Sequence, residues 1–293
     1  MFVYKLAERL LRLLNIIFDI KYLQGFLRRF STKEESQINM SELLSELSKI
    51  PIKRGGILIL HSSWSQLVHS KINPKDIIDF LLLKLGDSGT LVMPAFYMEN
   101  SNLYLGGEKE VNVDVTSRLT SSGILPSFFL RYPDVYRGRF PYNTLAAKGS
   151  HAKSMFKNEE HSSKAHDEHS PWDFCRSNNA IIAFLGVKSR NSTTLIHVAE
   201  DNKLMNWPIK DWWEERIVLI NDEKGVRRKK IEIRKPEYSI RNLSYSRTKY
   251  LVRKKLLKEW SCKGVSFGYI EDSKKLIDEI SRQARSSNIF WWI

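Results

Sequence analysis

Residues 193–201, which read TTLIHVAED, place a histidine and a carboxylate at a spacing that suits proton transfer. His197 and Glu200 are three positions apart, so in a helix they lie on one face. A carboxylate beside an imidazole can hold one ring tautomer and stabilise the imidazolium, while the other ring nitrogen acts as a base. The residues alone leave two interpretations open: a general base held by an acid, and a structural histidine in a packed helix.

The elements before this stretch predict where the histidine lies. The apolar run at 180–186 has the length of a buried strand, and residues 191–194 offer several N-cap residues for a helix that begins there. Earlier, an apolar run within 55–67 and a second one at 89–96 flank a helix with Asn73 as its cap and Gly86 as its stop. A strand, a helix and a strand within about 40 residues form a βαβ unit with parallel strands. Ligands collect at the carboxyl edge of such strands, which favours a functional role for His197.

The chain changes character after residue 205. Residues 215–234 predict two strands around a turn at Asp222–Gly225, and 248–260 predict a helix. A short strand at 264–270 and a final helix at 273–285 follow. Residues 206–293 are therefore interpreted as a β-rich insertion and a closing α/β segment within one domain that spans 40–293.

The N-terminal residues 1–39 predict an amphipathic helix followed by a polar connector. Leu6, Leu10 and Leu13 recur at helical spacing, but charges interrupt the apolar residues before they reach the length that spans a bilayer. Three roles stay open for this helix: docking on its own domain, lying on an anionic membrane, and an oligomer contact. Cys175 and Cys262 are far apart and in no metal-ligand spacing, which favours a reducing cytoplasm.

The net charge of +14 and the pI near 9.6 favour polyanionic partners. Much of the excess lies in two late runs, 224–235 and 246–260. No nucleic-acid-binding motif accompanies them, so a nucleic-acid partner is not predicted and the runs are interpreted as solvated faces.

Five segments occur in order along the chain: LILHSSWSQL (58–67), GTLVMPAF (89–96), TSSGILPSFFLRYPDVYRGRFPYNTLAAKG (120–149), HDEHSPWDF (166–174) and TTLIHVAE (193–200). As a set they resemble the aminoglycoside 3-N-acetyltransferase family. The resemblance implies an α/β fold with a three-layer α/β/α core and a partly parallel central sheet, to which the smaller β-rich C-terminal portion is added. It also implies acetyl-CoA or another acyl-CoA as donor and the amine of an amino sugar as acceptor.

The resemblance implies that His197 is the base, that Glu200 supports it, and that Thr194 belongs to the same motif. The hydroxyls of Thr193 and Thr194 and nearby backbone N–H groups are candidate donors to the oxyanion. The segment that follows the first strand offers N–H and hydroxyl donors that suit a pantetheine arm or a phosphate, with a serine-rich capping turn as the alternative. These candidate cofactor-binding residues are His61, Ser62, Ser63 and Ser65. Because no G-x-S-x-G elbow is present, we expect direct transfer without an acyl-enzyme.

One departure from the family pattern concerns the acceptor. The family usually has R-S-x-H-P, whereas this chain has RGRFP at 137–141, so a polar group is lost at Phe140. Arg137 and Arg139 are interpreted as contacts to the CoA phosphates, with ordinary surface arginines as the alternative. The resemblance makes 166–174 a loop that lines the site rather than a metal site, and no metal is predicted. The candidate acceptor-binding residues are Phe96, Phe140, Asn143, His169 and Ser170.

The net charge decides which acceptor is predicted. Aminoglycosides are polycations and a chain of +14 repels them, so steering favours an anionic acceptor. We therefore predict a nucleotide-linked amino-sugar N-acyltransferase of surface-polysaccharide synthesis, with an aminoglycoside-antibiotic acetyltransferase as the alternative. A hypothesis of another class is a basic non-enzymatic protein that docks on nucleic acid or membrane, with a structural His197.

Overall fold

The structure, a computed structural model, describes residues 38–99, 103, 110–189, 193–235, 238 and 244–286. The amphipathic helix predicted near the start of the chain lies outside these ranges. Within them, no helix is both long and apolar enough to cross a membrane.

The described residues form ten strands, which are β1 (Ile57–Ser62), β2 (Thr90–Pro94), β3 (Glu110–Asp114), β4 (Tyr136–Arg137), β5 (Leu145–Gly149), β6 (Ile181–Leu185), β7 (Trp213–Asp222), β8 (Gly225–Arg234), β9 (Lys258–Cys262) and β10 (Val265–Ile270). They also form eight α-helices, which are α1 (Met40–Leu47), α2 (Pro74–Leu85), α3 (Ile124–Phe129), α4 (Ala152–Met155), α5 (Pro171–Ser177), α6 (Val198–Asp201), α7 (Ser244–Arg253) and α8 (Ser273–Arg285). The main sheet has seven strands in the order β4-β5-β2-β1-β6-β10-β9, and β3-β7-β8 form a second sheet.

The predicted βαβ unit is confirmed. The Asn73 side chain accepts a hydrogen bond from Lys75 N at 3.0 Å and caps α2, which ends at Gly86 with φ 68°. The strands on either side, β1 and β2, pair in parallel with Ile57 opposite Thr90. The third predicted strand, β6, also runs parallel to β1, whereas β5 and β10 are antiparallel to their neighbours.

Alternation along β1 shows why the core has three layers. Ile57 and Ile59 face one side, against α5 and α8, while Leu58 and Leu60 face the other, against α1 and α2. Each such apolar side chain, when fully buried, contributes about 1.5–3 kcal/mol. The fold is thus α/β with a mixed central sheet between helical layers, as the sequence predicted.

The C-terminal region agrees with the prediction in part. The two strands around Asp222–Gly225 are confirmed as the β7–β8 hairpin. The second sheet also takes in β3, with Val111 opposite Val218, and this pairing across more than 100 residues was not predicted. The helix predicted over 248–260 is wrong at its end, because α7 stops at Arg253 and the chain returns as β9 to pair with β10.

Candidate active site

Several predicted site segments meet at one edge of the main sheet. Because β1, β2 and β6 are parallel, their carboxyl ends at Ser62, Pro94 and Leu185 lie together. The antiparallel β5 starts at the same edge, where Leu145 pairs with Pro94. The residues just before β5 and just after β6 therefore come close to each other, although about 50 residues separate them in the chain.

His197 ends a short 3₁₀ turn, Thr194–His197, which leads directly into α6. Leu195, Ile196 and Val198 are buried in the main core and fix this turn against the sheet. The His197 side chain keeps 20% of its surface exposed, whereas that of Glu200 keeps 1%. The imidazole therefore reaches the surface while the carboxylate beneath it is buried.

The His197–Glu200 pair has the geometry of a held base. Nδ1 of His197 lies 3.0 Å from Oε1 of Glu200. Since a carboxylate only accepts, we assign the ring proton to Nδ1, which leaves the Nε2 lone pair to receive a proton. The pKa of His197 is lowered from its usual 6.5, mainly by burial, and also by the nearby Arg234 and His166, while Glu200 opposes this shift. A lowered pKa favours the neutral ring, which is the form that can accept a proton.

Two residues that the sequence did not single out hold Glu200 in place. Trp212 Nε1 donates to Glu200 Oε2 at 3.1 Å, and Arg234 Nη1 lies 3.4 Å from both carboxylate oxygens. Arg234 is the last residue of β8, so the second sheet delivers this guanidinium to the site. Arg234 belongs to a basic run that was interpreted as a solvated face, and no local sequence pattern distinguishes this arginine from its neighbours.

A second histidine–carboxylate pair adjoins the first. His166 Nδ1 lies 2.7 Å from Asp201 Oδ2, and Trp213 Nε1 donates to Asp201 Oδ1 at 2.8 Å. The His166 and His197 ring centroids are 5.2 Å apart. The sequence predicted a site-lining loop here but chose His169, which the structure places at the surface beside His161, outside the cleft.

Ser170 has a structural contact in this loop. It is the N-cap of α5 and accepts a hydrogen bond from Asp173 N, while its buried hydroxyl donates to Asp167 O. The Ser170 side chain therefore stabilises the loop and does not face the cleft.

The surface cleft at His197 is acidic, in contrast to the whole protein. Its wall contains three carboxylates, those of Glu200, Asp201 and Glu232, and one guanidinium, that of Arg234. Lys164 Nζ lies 3.3 Å from Glu232 Oε2. The complete wall is formed by Tyr142, Asn143, His166, His197, Glu200, Asp201, Glu232, Ile233 and Arg234.

The other predicted acceptor and motif residues lie at various distances from this cleft. Asn143 lines it, with a left-handed φ of 50° and its Nδ2 3.4 Å from His166 Nε2. Thr194 opens the 3₁₀ turn and is half-buried. Phe96 packs against the core at the end of β2 and Phe140 is buried beneath the second sheet, so neither belongs to the cleft wall.

The segment after β1 is divided between the core and the surface. His61 is 4% exposed and stacks on Phe184, with ring centroids 5.7 Å apart. Burial lowers the pKa of His61 to about 3, so it is neutral and internal. Ser62 is half-buried on the opposite face of β1, whereas the hydroxyls of Ser63 and Ser65 lie 3.0 Å apart at the carboxyl edge.

The two predicted phosphate contacts have different surroundings. The Arg137 guanidinium donates to Ala95 O at 2.6 and 3.0 Å and to Ser117 O at 2.5 Å, so it holds backbone together. Arg139 is half-exposed and lines a cavity of about 620 Å³. Arg137 also borders this cavity, and the other cations around it are Lys157, Lys224, Arg227 and Lys229, with Tyr136, Phe140 and Phe156 as aromatic walls.

A buried carboxylate forms part of the wall of this basic cavity. Glu159 is 6% exposed and accepts a hydrogen bond from Arg139 N at 2.7 Å. Burial raises its pKa to about 7, against the opposing effect of the backbone donors. A Cβ at position 138 would collide with Glu159 Oε1, so Gly138 leaves the space that the carboxylate fills.

No group of three or more His, Cys, Asp or Glu side chains in the described residues is arranged to hold a metal ion. His166 and His169 share a short segment with two acids, but His166 is buried in the cleft wall and His169 is exposed at the surface. Their contacts are with Asp201 and His161, respectively.

Comparisons with known proteins agree on one family. The family model for aminoglycoside 3-N-acetyltransferase matches residues 59–271. A curated relative, aminoglycoside N(3)-acetyltransferase IV of Salmonella sp, is 30% identical over 161 residues, or 55% of this chain. The match spans 58% of that relative's length.

Solved structures share the fold over most of their length. A variant of aminoglycoside acetyltransferase AAC(3)-IVa in complex with a gentamicin has a TM-score of 0.69 at 22% identity, covering 86% of this chain and 90% of that one. AAC-IIIb in a binary complex with CoASH has a TM-score of 0.68 at 17% identity, covering 85% and 97%. At these identities the likeness establishes the arrangement of helices and strands.

Proposed function

Because the chain belongs to the aminoglycoside 3-N-acetyltransferase family, we propose that it transfers an acetyl group from acetyl-CoA to an amine of an aminoglycoside. The observation that carries this proposal is the His197 imidazole, held by the buried Glu200 and open to an acidic cleft. The identity of the transferred acyl group is also part of this proposal, and acetyl is taken because it is the default for this family.

In the proposed reaction the acceptor nitrogen attacks the thioester carbonyl as His197 Nε2 takes a proton from it. Glu200 holds the Nδ1–H tautomer and stabilises the imidazolium that forms. The tetrahedral intermediate then expels the thiolate, the C–S bond breaks, and the imidazolium returns its proton to sulfur. An imidazole in this role contributes about 10²–10⁴-fold to the rate.

The charge of the cleft supports an aminoglycoside over the nucleotide-linked amino sugar predicted from composition. The net charge of +14 describes the whole chain, whereas the cleft wall has three carboxylates and one guanidinium. Four of the excess cations, residues 227–230, lie together on β8, several residues from the Arg234 end that forms the cleft. A polycation can therefore approach His197, and the relatives named above are aminoglycoside acetyltransferases.

An acceptor panel tests this proposal directly. With acetyl-CoA as donor, we expect thiol release with aminoglycosides such as gentamicin and none above background with nucleoside-diphosphate-linked amino sugars. Turnover of the nucleotide-linked sugars with inert aminoglycosides would restore the prediction from net charge. Absence of thiol release with every acceptor would favour the non-enzymatic hypothesis.

We further propose that the basic cavity beside Arg139 binds the adenosine-phosphate end of CoA. Cations and aromatic rings line it together, which suits phosphates and a base. The cavity adjoins the Gly225–Lys229 end of β8, and the cleft adjoins the Glu232–Arg234 end. A strand from Lys229 to Arg234 spans about 17 Å. The pantetheine arm would bridge this distance between the basic cavity and the cleft.

Arg139→Ala is expected to raise the KM for acetyl-CoA about tenfold with kcat little changed, since one charge-assisted contact is lost before and during the reaction alike. Steady-state thiol release measures both constants. Arg131→Ala, an exposed arginine of another surface, is the matched control. An unchanged KM would place the nucleotide elsewhere.

The predictions for residues 1–39 remain proposals. We propose that they form a peripheral amphipathic segment outside the transferase domain of 40–293, in a cytoplasmic protein. Their apolar spacing and the Arg28 and Arg29 pair support a contact with an anionic membrane.

A further inference from the structure

Consecutive acids on one turn of chain each hold a different histidine. Glu200 Oε1 lies 3.0 Å from His197 Nδ1, and Asp201 Oδ2 lies 2.7 Å from His166 Nδ1. The two carboxylates are also held alike, by Nε1 of Trp212 and of Trp213 respectively. The structure thus contains two histidine–carboxylate–tryptophan units in one cleft, of which the proposed mechanism uses one.

The proton balance of amide formation leaves a role for a second group that accepts a proton. A sugar amine enters mainly as an ammonium, and it must lose one proton before its lone pair can attack. A second proton leaves the nitrogen as the N–C bond forms, and the departing thiolate takes up one. A single imidazole that is already protonated by the ammonium cannot accept the second proton.

We propose that His166, held by Asp201, is a second catalytic base, which removes the ammonium proton of the acceptor, directly or through one water. His197 then accepts the proton released during attack and delivers it to sulfur, while His166 returns its proton to solvent. The balance is one ammonium and one thioester giving one amide, one thiol and one proton. This inference rests on the proposed function, since it assigns a role within that reaction.

The surroundings of His166 fit this role. Its Nδ1 faces Asp201, so the proton on that nitrogen is held and Nε2 is left to accept. Nε2 lies 3.4 Å from Asn143 Nδ2, which is long for a hydrogen bond, so a water or an ammonium in the cleft can compete for its lone pair. Trp172 covers the ring, with centroids 5.7 Å apart, which restricts its motion.

The charged and titratable groups around the pair come from four parts of the chain. The acids Glu200 and Asp201 belong to α6, and His166 belongs to the loop before α5. Glu232 and Arg234 belong to β8, and Tyr142 lies just before β5. Because the rings are 5.2 Å apart, a proton on one disfavours a proton on the other. Glu200 offsets this repulsion at His197, because its carboxylate stabilises the imidazolium that forms during attack.

The test compares His166→Gln and Asp201→Asn with the unmodified protein across pH. If His166 removes the ammonium proton, both variants depend on amine that is already neutral. Their kcat/KM should be about tenfold or more below normal at low pH and recover as the pH rises toward the pKa of the amine. A loss of the same size at every pH in both variants, or no loss, would overturn the inference.

A nucleophile that is already neutral distinguishes a role of His166 in proton removal from a role in packing alone. With an alkoxyamine, whose nitrogen is unprotonated at pH 7, the loss in His166→Gln should shrink to about threefold or less, while His197→Ala keeps its loss of about 10²–10⁴-fold. Equal losses with the alkoxyamine and the aminoglycoside would mean that His166 only supports the cleft. Asp201→Asn keeps an acceptor for Trp213, so it limits the risk of misfolding, which thermal melting checks. His161→Gln, an exposed histidine, is the control.

Failure of this inference and failure of the proposed function give different results. If the unmodified protein releases no thiol with any acceptor, the proposed function fails. If it is active and depends on His197, but the variants at 166 and 201 keep the normal pH profile, the second base alone is refuted.

Discussion

His197→Ala is expected to lower kcat for aminoglycoside acetylation by about 10²–10⁴-fold, because the variant has no imidazole to accept the amine proton. The fold should persist, since Trp212 and Arg234 still satisfy the buried Glu200 carboxylate. Thiol release under saturating acetyl-CoA and acceptor measures kcat, and thermal melting measures stability.

The matched control is His69→Ala, which removes an exposed histidine from the loop that precedes α2. It should keep normal kcat and KM values. Normal turnover by His197→Ala itself would show that another group accepts the proton. The pH profile adds an independent check: because the pKa of His197 lies below 6.5, the acid limb assigned to it should fall below that pH.

Glu200→Gln is expected to reduce kcat by a comparable factor, for a different reason. The amide can donate to His197 Nδ1, which favours the tautomer with its proton on Nε2 and blocks the base. Glu200 also raises the pKa of His197, so its loss lowers that pKa further and moves the acid limb of kcat/KM to lower pH. A rate–pH series on the variant measures both effects.

The same substitution should destabilise the protein. Arg234 is 14% exposed and loses an anionic partner, and breaking a buried pair costs up to about 3–5 kcal/mol. Chemical denaturation measures this loss. Glu46→Gln is a close control, since Glu46 also bonds a tryptophan Nε1, that of Trp260, and pairs with Lys49, but on α1 away from the cleft. A Glu200→Gln variant as active as this control would exclude the carboxylate from catalysis.

The parts of the fold that local chemistry specifies were predicted from the sequence. The cap at Asn73 and the stop at Gly86 define α2, and apolar runs on both sides define parallel strands. The three-residue spacing of His197 and Glu200 likewise determines their contact, because a single turn of chain brings them together. Contacts between residues that are close in the sequence can be predicted from the sequence.

What the sequence did not show depends on contacts of long range. Arg234 reaches Glu200 only because β8 pairs with β7 and β7 with β3, and no local periodicity encodes that pairing. In the loop that contains His166 and His169, no regular spacing indicates which ring turns inward. Asp201 decides it by pairing with His166 across 35 positions. The net charge has the same limit, since it does not report how charges are distributed and so does not reveal the acidic cleft wall.

The packing of Gly138 against Glu159 constrains how this protein can evolve. A Cβ at 138 would overlap Glu159 Oε1, so any larger residue there requires the buried Glu159 carboxylate to move from its hydrogen bond with Arg139 N. The tolerance of position 138 for larger side chains should therefore depend on which residue occupies position 159.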